Sequence, residues 1–252
     1  MIKFNQEDII VVTGGSSGLG REICLRVNSL GATVIAVARN EERLNQAKEE
    51  SDFPDNFVVV SKDLSVDFDS IPKFVKELAK KFGKLKGLVH AAGVLGLMPL
   101  RGIRIQKTKA FFDINYFAGL ALAKGFADRR TCSENASIVY ISSIAAVTGH
   151  LGQIEYGSSK GAVNSLVRTL AIEVAKQNTR VNSVMPAHVV TEMTESFDDI
   201  YSEEYKHELK TMYPLGLGKP EDVANLVVFL LSDVSKWITG QNIIIDGGRT
   251  LI

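Results

Sequence analysis

The sequence has few of the features that mark specialised classes of protein. Its 252 residues include only two cysteines, Cys24 and Cys132, which excludes the disulfide framework of a small secreted domain. Both fall in or at the end of predicted helices, with no metal-binding motif beside them. We therefore expect both to be packing residues, in a reducing compartment. The four histidines show no ligand spacing with these cysteines, so we expect no metal site.

An excess of one charge and long apolar runs are also missing. Lys plus Arg and Asp plus Glu number 29 each, so no net charge would attract nucleic acid or an anionic membrane. The apolar runs at 9–12 and 226–231 are far shorter than the roughly 20 residues of a membrane-spanning helix. The first eight residues carry acidic side chains where a secretory signal would be apolar. We therefore expect a cytoplasmic protein without nucleic-acid or membrane partners.

Linkers rich in Pro, Gly or Ser and internal repeats are absent, which favours a single domain over 1–252. Short β-branched runs alternate with longer amphipathic segments along the chain. The predicted strands cover 9–13, 33–38, 57–61, 87–90, 137–141, 181–184 and 243–245. The predicted helices cover 19–30, 41–50, 67–82, 107–128, 155–177 and 221–231. This alternation predicts an α/β Rossmann fold, with a seven-stranded parallel doubly wound sheet and helices on both faces.

One segment departs from this alternation. Residues 191–218 carry several Asp and Glu side chains but no strand pattern. Because long connections in compact domains often cover a site, we expect a substrate lid there. The alternative is a solvated acidic surface helix.

The turn after the first predicted strand is rich in glycine. Residues 13–20 read TGGSSGLG and open a helix, whose free N–H groups suit a pyrophosphate. The expected dinucleotide contacts in this turn are Gly14, Ser16, Ser17, Gly18, Leu19 and Gly20. After the fourth strand, the small residues Ala91, Ala92 and Gly93 would let the backbone approach the adenosine.

The residue after the second strand indicates which dinucleotide binds. An NAD-selective dehydrogenase usually has a carboxylate there for the ribose hydroxyls, whereas this chain has Arg39. A guanidinium suits the 2'-phosphate of NADP(H), so we expect NADP(H) rather than NAD(H). The alternative is a surface arginine paired with Glu41 or Glu42. After the third strand, Asp63 is expected to accept from the adenine amine, with Leu64 as a further contact.

A tyrosine and a lysine lie one helical turn apart in the predicted helix 155–177. Tyr156 and Lys160 share a face of this helix, and Ser143 lies thirteen positions before the tyrosine. A phenol has an ordinary pKa of about 10, so we expect the Lys160 ammonium to lower the pKa of Tyr156. Ser143 would hold a substrate oxygen, whereas the adjacent Ser142 is expected to be structural. The alternative is an amphipathic helix that happens to carry both residues.

Together these positions resemble the short-chain dehydrogenase/reductase family over nearly the whole chain. The matching features are the glycine turn, Ala91-Ala92-Gly93, Asn115, Ser143, Tyr156, Lys160 and Asp246-Gly247-Gly248. The resemblance implies a catalytic tetrad of Asn115, Ser143, Tyr156 and Lys160, with Tyr156 and Lys160 also contacting the cofactor. It implies that the helix around Asn115 kinks to hold a water connected to Lys160. The alternative for Asn115 is an ordinary polar helix position.

The resemblance also implies cofactor contacts after the sixth strand, and this chain departs from the family pattern twice. The implied contacts are Pro186, Ala187, Val189 and Thr191. Ala187 stands where the family usually has glycine. His90 stands where the family usually has asparagine, and we expect His90 to be structural. We expect His188 to be a solvated loop residue, the alternative being that it faces substrate.

The resemblance implies an NADPH-dependent reductase of a small-molecule carbonyl, with Tyr156 as the proton donor. Residues 152–153 and 214–224 resemble 3-oxoacyl-carrier-protein reductases most. A basic patch of Arg129, Arg130 and Lys176 could dock an acyl carrier protein. The alternatives are an NAD(P)-dependent dehydrogenase of a sugar, polyol or other secondary alcohol, and a non-catalytic NADP-binding regulator.

The two longest predicted helices, 107–128 and 155–177, bear on assembly. In the family these helices pair across two-fold axes, so the resemblance implies a homodimer or homotetramer. The apolar positions expected on their exposed faces are Phe117, Leu120, Leu166 and Leu170. The alternative is that these side chains are buried within one chain.

Overall fold

The computed structural model describes residues 2–195, 209 and 211–252. The strands are β1 (Ile9–Thr13), β2 (Thr33–Ala38), β3 (Phe57–Ser61), β4 (Leu85–His90), β5 (Cys132–Ile141), β6 (Arg180–Pro186) and β7 (Asn242–Ile245). They form one parallel sheet in the order β3-β2-β1-β4-β5-β6-β7, which confirms the predicted doubly wound architecture. Because β1 pairs with both β2 and β4, the chain order reverses beside β1. Ligands bind at the carboxyl ends of the strands at such a reversal.

Helices cover both faces of the sheet. They are α1 (Gly18–Ser29), α2 (Glu41–Glu49), α3 (Ile71–Phe82), α4 (Ile105–Phe112), α5 (Ala118–Phe126), α6 (Ile154–Val174), α7 (Glu192–Glu195) and α8 (Pro220–Leu231). Ile9 and Val11 of β1 pack in the core shared with α3, α5 and α6. Ile10 and Val12 point the other way, into the core shared with α1, α2 and α8. The apolar runs of the strands are therefore buried on both sides.

The two cysteines are divided between these cores. Cys24 is buried with α1 and Cys132 with β5, and neither forms a disulfide. Both are therefore packing residues, as predicted.

The predicted bounds of β1, β2 and β3 agree with the structure, whereas β5 begins five residues before its prediction. Leu85 of β4 pairs with Cys132, ahead of an irregularity in the register of β4 and β5. Asn135 has a left-handed φ of 55°, and the polar residues around it lack the β-branched pattern that predicts a strand. The extension of β5 was therefore missed because it depends on pairing with β4.

Helix α3 begins four residues later than predicted, at Ile71. Asp67 has a positive φ of 48°, which ends any helical path through it. Pro72 lies in the first turn of α3, where its missing N–H costs nothing.

The predicted helix 107–128 is divided by a π-helical turn. Residues Asp113–Phe117 form this π turn between α4 and α5. The Ala118 N–H donates to the Asp113 carbonyl five residues earlier, instead of four. A helix irregularity therefore lies at Asn115, where the resemblance implied a kink.

Half of the predicted lid, 191–218, lies outside the described residues, since 196–208 and 210 are not among them. At its start the short helix α7 is described, and at its end Val189 pairs with Gly218 in an isolated parallel bridge. None of the described helices is long and apolar enough to cross a membrane.

Candidate active site

A cavity of about 640 Å³ lies at the carboxyl ends of the strands, beside the reversal at β1. Every residue predicted to contact a cofactor lines it. Ser143 also lines this cavity, together with Tyr156 and Lys160. The sequence motifs, which are dispersed over nearly 180 positions, therefore meet around one space.

The glycine turn, which follows the carboxyl end of β1, lines part of the cavity. Gly14 has a φ of 74°, and a Cβ added to it would lie 2.8 Å from the backbone nitrogen of Ala92. The Gly14 N–H donates to the Val37 carbonyl at 2.8 Å, which holds the turn against β2. The turn therefore packs backbone against backbone, and no side chain larger than hydrogen fits at Gly14.

Helix α1 begins at this turn with its first N–H groups open to the cavity. Its N-cap, Ser17, makes no side-chain capping hydrogen bond, and its first turn carries no acidic residue. The unpaired N–H groups and the positive end of the helix dipole favour an anion there. This arrangement fits the pyrophosphate of a dinucleotide.

One end of the cavity is lined by Arg39, Lys62 and Asp63, and it is called the adenosine end below because the sequence predicts adenosine contacts there. This end is basic. Arg39 follows β2 and is exposed, and among the described residues it forms no ion pair with Glu41, Glu42 or any other acid. Lys62 also lines this end, with its ammonium 5.0 Å from the centre of the Phe74 ring. Within the part of the chain that the structure describes, two cations at this end therefore have no carboxylate within ion-pair distance, a setting that suits an anion.

Asp63 lies beside these cations, but its carboxylate already has partners. Its Oδ1 accepts from the backbone N–H of Ser65 at 2.8 Å and from the Ser65 hydroxyl at 2.6 Å. These hydrogen bonds, with smaller contributions from Arg39 and Lys62, hold the pKa of Asp63 below its ordinary value. Among the described residues Oδ2 of this carboxylate accepts no hydrogen bond, so it is open to a donor from a ligand.

Tyr156 and Ser143 both line the cavity. The Tyr156 side chain is half-buried, and its phenol lies near enough to the Ser143 hydroxyl for that hydroxyl to lower the pKa of the phenol. The Ala145 N–H donates to the Ser143 Oγ at 3.1 Å, which fixes the serine side chain at the start of a short helical turn. The adjacent Ser142 is buried and donates to the Lys160 carbonyl at 3.3 Å, consistent with a structural role.

The pKa of Tyr156 differs from the sequence-based expectation. Burial raises it above its ordinary value, and the nearby Ser143 hydroxyl lowers it by a smaller amount. The Lys160 ammonium lies 5.7 Å from the centre of the Tyr156 ring and donates to the Ile141 carbonyl at 2.7 Å. Loss of solvation therefore sets the direction of the shift, and the Lys160 charge is not among its causes. Burial also lowers the pKa of Lys160 to about 8.

Asn115 lies behind the cavity wall and does not line it. Its side chain is fully buried; Oδ1 accepts from the Val94 N–H at 2.9 Å, and Nδ2 donates to the Ser159 hydroxyl at 2.9 Å. A Cβ at Gly93 would lie 2.9 Å from Asn115 Oδ1 and 3.5 Å from Lys160 Nζ. Asn115 therefore approaches the lysine across Gly93, with its amide committed to protein partners.

Several lining residues were not predicted from the sequence. At the adenosine end Asn40 and Arg43 join the wall, and Arg43 forms an ion pair of 2.8 Å with Glu192 of α7. At the other end the additional lining residues are Val94, Leu95, His150, Gln153, Met193, Leu209 and Tyr213. Arg43 lies in α2 and Met193 in α7, whereas most of the others lie in connections between elements, so no spacing rule identifies them.

Two further points concern histidine. His188 is half-buried and lines the cavity, so it is not the solvated loop residue that we expected. Within residues 2–195, 209 and 211–252, no three His, Cys, Asp or Glu side chains lie close enough together to hold a metal ion.

The chain is similar to known proteins over nearly its whole length. A family model described as enoyl-(acyl carrier protein) reductase matches residues 14–250. The 3-oxoacyl-(acyl-carrier-protein) reductase of Thermotoga maritima is 34% identical over 249 residues, which cover 96% of this chain and 98% of that protein. The L-rhamnose 1-dehydrogenase (NAD(P)(+)) of a Sphingomonas species is 29% identical over 250 residues, which cover 98% of each.

Solved structures agree with these similarities. A short-chain dehydrogenase/reductase from Brucella melitensis, described as a glucose/ribitol dehydrogenase, has a TM-score of 0.90 and 30% identity to this chain. The match covers 98% of this chain and 99% of that one. Reductases of acyl substrates and dehydrogenases of sugars are therefore both among the proteins that this chain resembles.

Proposed function

Because the chain belongs to the short-chain dehydrogenase/reductase family of NAD(P)-dependent oxidoreductases, we propose that it reduces a small-molecule carbonyl to an alcohol with NADPH. The observation that carries this proposal is the meeting of Ser143, Tyr156 and Lys160 on the wall of a cavity that also contains the glycine turn. A protein that only sensed the dinucleotide would not need a proton donor at this position.

The proposed mechanism assigns a step to each residue of this group. Bound NADPH would supply the hydride. Ser143, whose Oγ already accepts from the Ala145 N–H, directs its own proton toward the carbonyl oxygen of the substrate. Tyr156 gives its proton to the same oxygen as negative charge develops there. Because burial raises the pKa of Tyr156, the phenol is protonated at neutral pH, as a proton donor must be.

Lys160 and Asn115 have supporting roles in the proposed proton transfer. With a pKa of about 8, Lys160 is mostly protonated at neutral pH, and one of its three N–H groups donates to the Ile141 carbonyl. Its other N–H groups make no hydrogen bond to any described residue and would hold the nicotinamide ribose. Asn115 fixes the Val94 backbone and, through Ser159, the first turn of α6. We propose that Asn115 acts by positioning the backbone, since its amide is already paired.

The preference for NADP(H) over NAD(H) rests on the basic adenosine end. Arg39 has no carboxylate partner among the described residues, and Lys62 lies on the same wall. A 2'-phosphate would therefore be bound by charge and by a bidentate guanidinium. The ribose of NAD(H) would find no acceptor in the side chain of Arg39.

Two substrate classes have support. The relative from Thermotoga maritima supports a 3-oxoacyl thioester, presented by an acyl carrier protein. The predicted docking patch is weakened, however, because the guanidinium of Arg130 is held by both oxygens of Asp128, at 3.0 and 2.7 Å. Only Arg129 and Lys176 remain unpaired there among the described residues. The end of the cavity lined by Leu95, His150, Gln153 and Tyr213 is the proposed substrate end. The polar side chains of His150 and Gln153 there favour the second class, a hydroxylated substrate such as a sugar or polyol.

We also propose that the protein assembles as a homodimer or homotetramer in the cytoplasm. Phe117 and Leu120 are 40% and 38% exposed, which supports contacts through α5 and the π turn. Leu170, by contrast, is buried within its own chain, so it does not belong to such a surface. A light-scattering mass at the monomer value would reject this assembly.

The proposed function is tested by turnover with both cofactors. Purified protein is mixed with NADPH or NADH and with an acetoacetyl thioester or a set of keto-sugars, and loss of nicotinamide absorbance is followed. We expect NADPH-dependent turnover that falls by about 10²–10⁴-fold in Tyr156→Phe, because the proton donor is lost. NADPH binding should persist in this variant. Tight NADPH binding without turnover on any carbonyl would instead favour a non-catalytic regulator.

A further inference from the structure

His90, at the carboxyl end of β4, is buried between the glycine turn and the π turn. Its side chain is 2% exposed, and its two ring nitrogens have different partners. Nδ1 lies 2.9 Å from the hydroxyl of Thr13 on β1, and Nε2 lies 3.0 Å from the carbonyl of Ile114 in the π turn. His90 is therefore the contact between the strand that precedes the cofactor turn and the segment that carries Asn115.

The partners of His90 determine where its proton lies. A carbonyl only accepts, so Nε2 carries the hydrogen and donates to Ile114. Nδ1 then accepts from the Thr13 hydroxyl, whose alternative contact with the Val89 carbonyl is longer, at 3.5 Å. Burial and the charge of Lys160 lower the pKa of His90 to about 4, so the ring is neutral at working pH.

A directed chain of hydrogen bonds results. The Ala92 N–H donates to the Thr13 hydroxyl at 3.3 Å, the hydroxyl donates to His90, and His90 donates to the Ile114 carbonyl. Hydrogen bonds in such chains polarise and strengthen one another in a buried environment. This series of hydrogen bonds begins at Ala92, which lines the cavity, and ends at Ile114, the residue before Asn115.

Helix α5 and the π turn before it pack closely against the sheet, so the hydrogen bond from His90 to Ile114 can fix the position of the π turn. A Cβ at Gly119 would lie 2.8 Å from Cδ2 of His90 and 2.8 Å from the ring of Tyr140. Tyr140 is the partner of His90 in the register of β4 and β5, and its hydroxyl donates to the Gly119 carbonyl at 3.0 Å. Two neighbouring side chains of the sheet thus each hold one carbonyl of the segment 114–119.

We propose that His90 is a positioning residue for the reaction: by holding the Ile114 carbonyl, it fixes the π turn and thereby the amide of Asn115 beside Lys160. The Tyr140 hydroxyl donates to the Gly119 carbonyl in α5, about one turn after Ile114, and not to the Ile114 carbonyl in the π turn. The proposal rests on the proposed function, because it gives Asn115 a supporting role in turnover.

The test compares His90→Leu with His90→Gln and Tyr140→Phe. Leucine removes both hydrogen bonds of His90, whereas the glutamine amide offers an acceptor and a donor about as far apart as the two ring nitrogens. Tyr140→Phe removes one buried hydrogen bond from the same helix and controls for general loss of stability. The measurements are amide hydrogen exchange over 113–118, kcat and KM for the carbonyl substrate, and the Kd for NADPH.

For His90→Leu we expect exchange over 113–118 at least about tenfold faster, and kcat lower by about 10- to 100-fold with KM within about twofold of wild type. His90→Gln should restore both values to near those of wild type. Tyr140→Phe should lower the melting temperature while leaving kcat within about twofold. A double variant with Asn115→Ala should lose no more kcat than Asn115→Ala alone, since both changes act through the same group.

Two outcomes would overturn the proposal: unchanged exchange in His90→Leu, or faster exchange with an unchanged kcat. If wild-type protein turns over no carbonyl, the proposed function fails. In that case the exchange comparison still decides whether His90 holds the π turn, so the two failures are distinguishable.

Discussion

The adenosine end and the substrate end of the cavity are built in different ways. At the adenosine end the wall consists of residues that directly follow β1, β2 and β3, such as Gly14, Arg39 and Asp63. At the substrate end it consists of side chains from separate connections, among them Leu95, His150 and Tyr213. The first end is therefore determined by short segments of sequence, and the second by how loops pack.

This difference has a physical cause. Parallel strands bring their carboxyl ends to one edge of the sheet, so residues just after the strands are placed by the sheet itself. A loop side chain is placed by the loop's own contacts, such as the hydrogen bond of 2.8 Å from the Met98 N–H to the Gly152 carbonyl. We therefore expect single substitutions at the adenosine end to act on binding strongly and selectively, and those at the substrate end to act weakly.

Gly14→Val should have the largest effect, because the backbone itself forms the binding surface there. The added side chain would meet the Ala91-Ala92 backbone at 2.8–2.9 Å, in a residue whose φ of 74° already disfavours it. We expect NADPH affinity to fall by at least about 100-fold, since the turn can no longer close on the pyrophosphate. Titration of NADPH fluorescence measures this affinity.

A matched glycine provides the control for that change. Gly149 has no neighbour within 4 Å of an added Cβ, so Gly149→Ala should leave NADPH affinity and stability near those of wild type. Comparable losses in both variants would mean that glycine content in general, and not the geometry of the turn, limits binding.

Arg39→Ala should have an intermediate effect, confined to one cofactor. Loss of a charge-assisted hydrogen bond costs about 1.5–3 kcal/mol, which corresponds to roughly a 10- to 100-fold weaker Kd for NADPH. The Kd for NADH should be unchanged, because NADH has no 2'-phosphate. Arg129→Ala removes an exposed arginine outside the cavity and should change neither affinity. Equal losses for both cofactors in Arg39→Ala would remove the proposed role of Arg39 in selecting NADP(H).

The sequence was most informative where function depends on position relative to a strand. The bounds of β1 to β3 and the residues after them follow from β-branched runs that end in glycine or a charged residue. The kink at Asn115 came only from the family resemblance. No local pattern distinguishes Asp113–Phe117 from the flanking helices, and the contact of the Ile114 carbonyl with His90 joins residues that are 24 positions apart.

Quantities set by burial were the least predictable. The sequence places Lys160 one turn from Tyr156, and this spacing alone suggested that charge lowers the pKa of the phenol. In the folded chain Lys160 is 5% exposed, and desolvation shifts both groups toward their neutral forms. The ion pair of Arg43 with Glu192 likewise could not be predicted from the sequence, because 149 positions separate the two residues.

The smallest effect is expected at the substrate end, from the protonation of His150. Its Nε2 lies 2.8 Å from the Thr148 hydroxyl, which itself donates to the Ile144 carbonyl, so neutral His150 donates through Nε2 and leaves Nδ1 as an acceptor. Burial, with a smaller effect of Arg249, lowers the pKa of His150 below 6.5.

The sign of the pH dependence follows from this lowered pKa. Above pH 6.5 the ring is neutral in both the folded and the unfolded chain, so the contribution of His150 to stability is fully present there and is lost as pH falls toward the folded pKa. Protonation also replaces the Nδ1 acceptor by a donor. As pH falls from 6.5 toward the folded-state pKa of His150, we expect KM for a hydroxylated carbonyl substrate to rise by about threefold. The affinity for NADPH should not change over the same pH range. His150→Gln, which does not titrate, should flatten the KM profile; a profile that persists in this variant would assign the titration to another group.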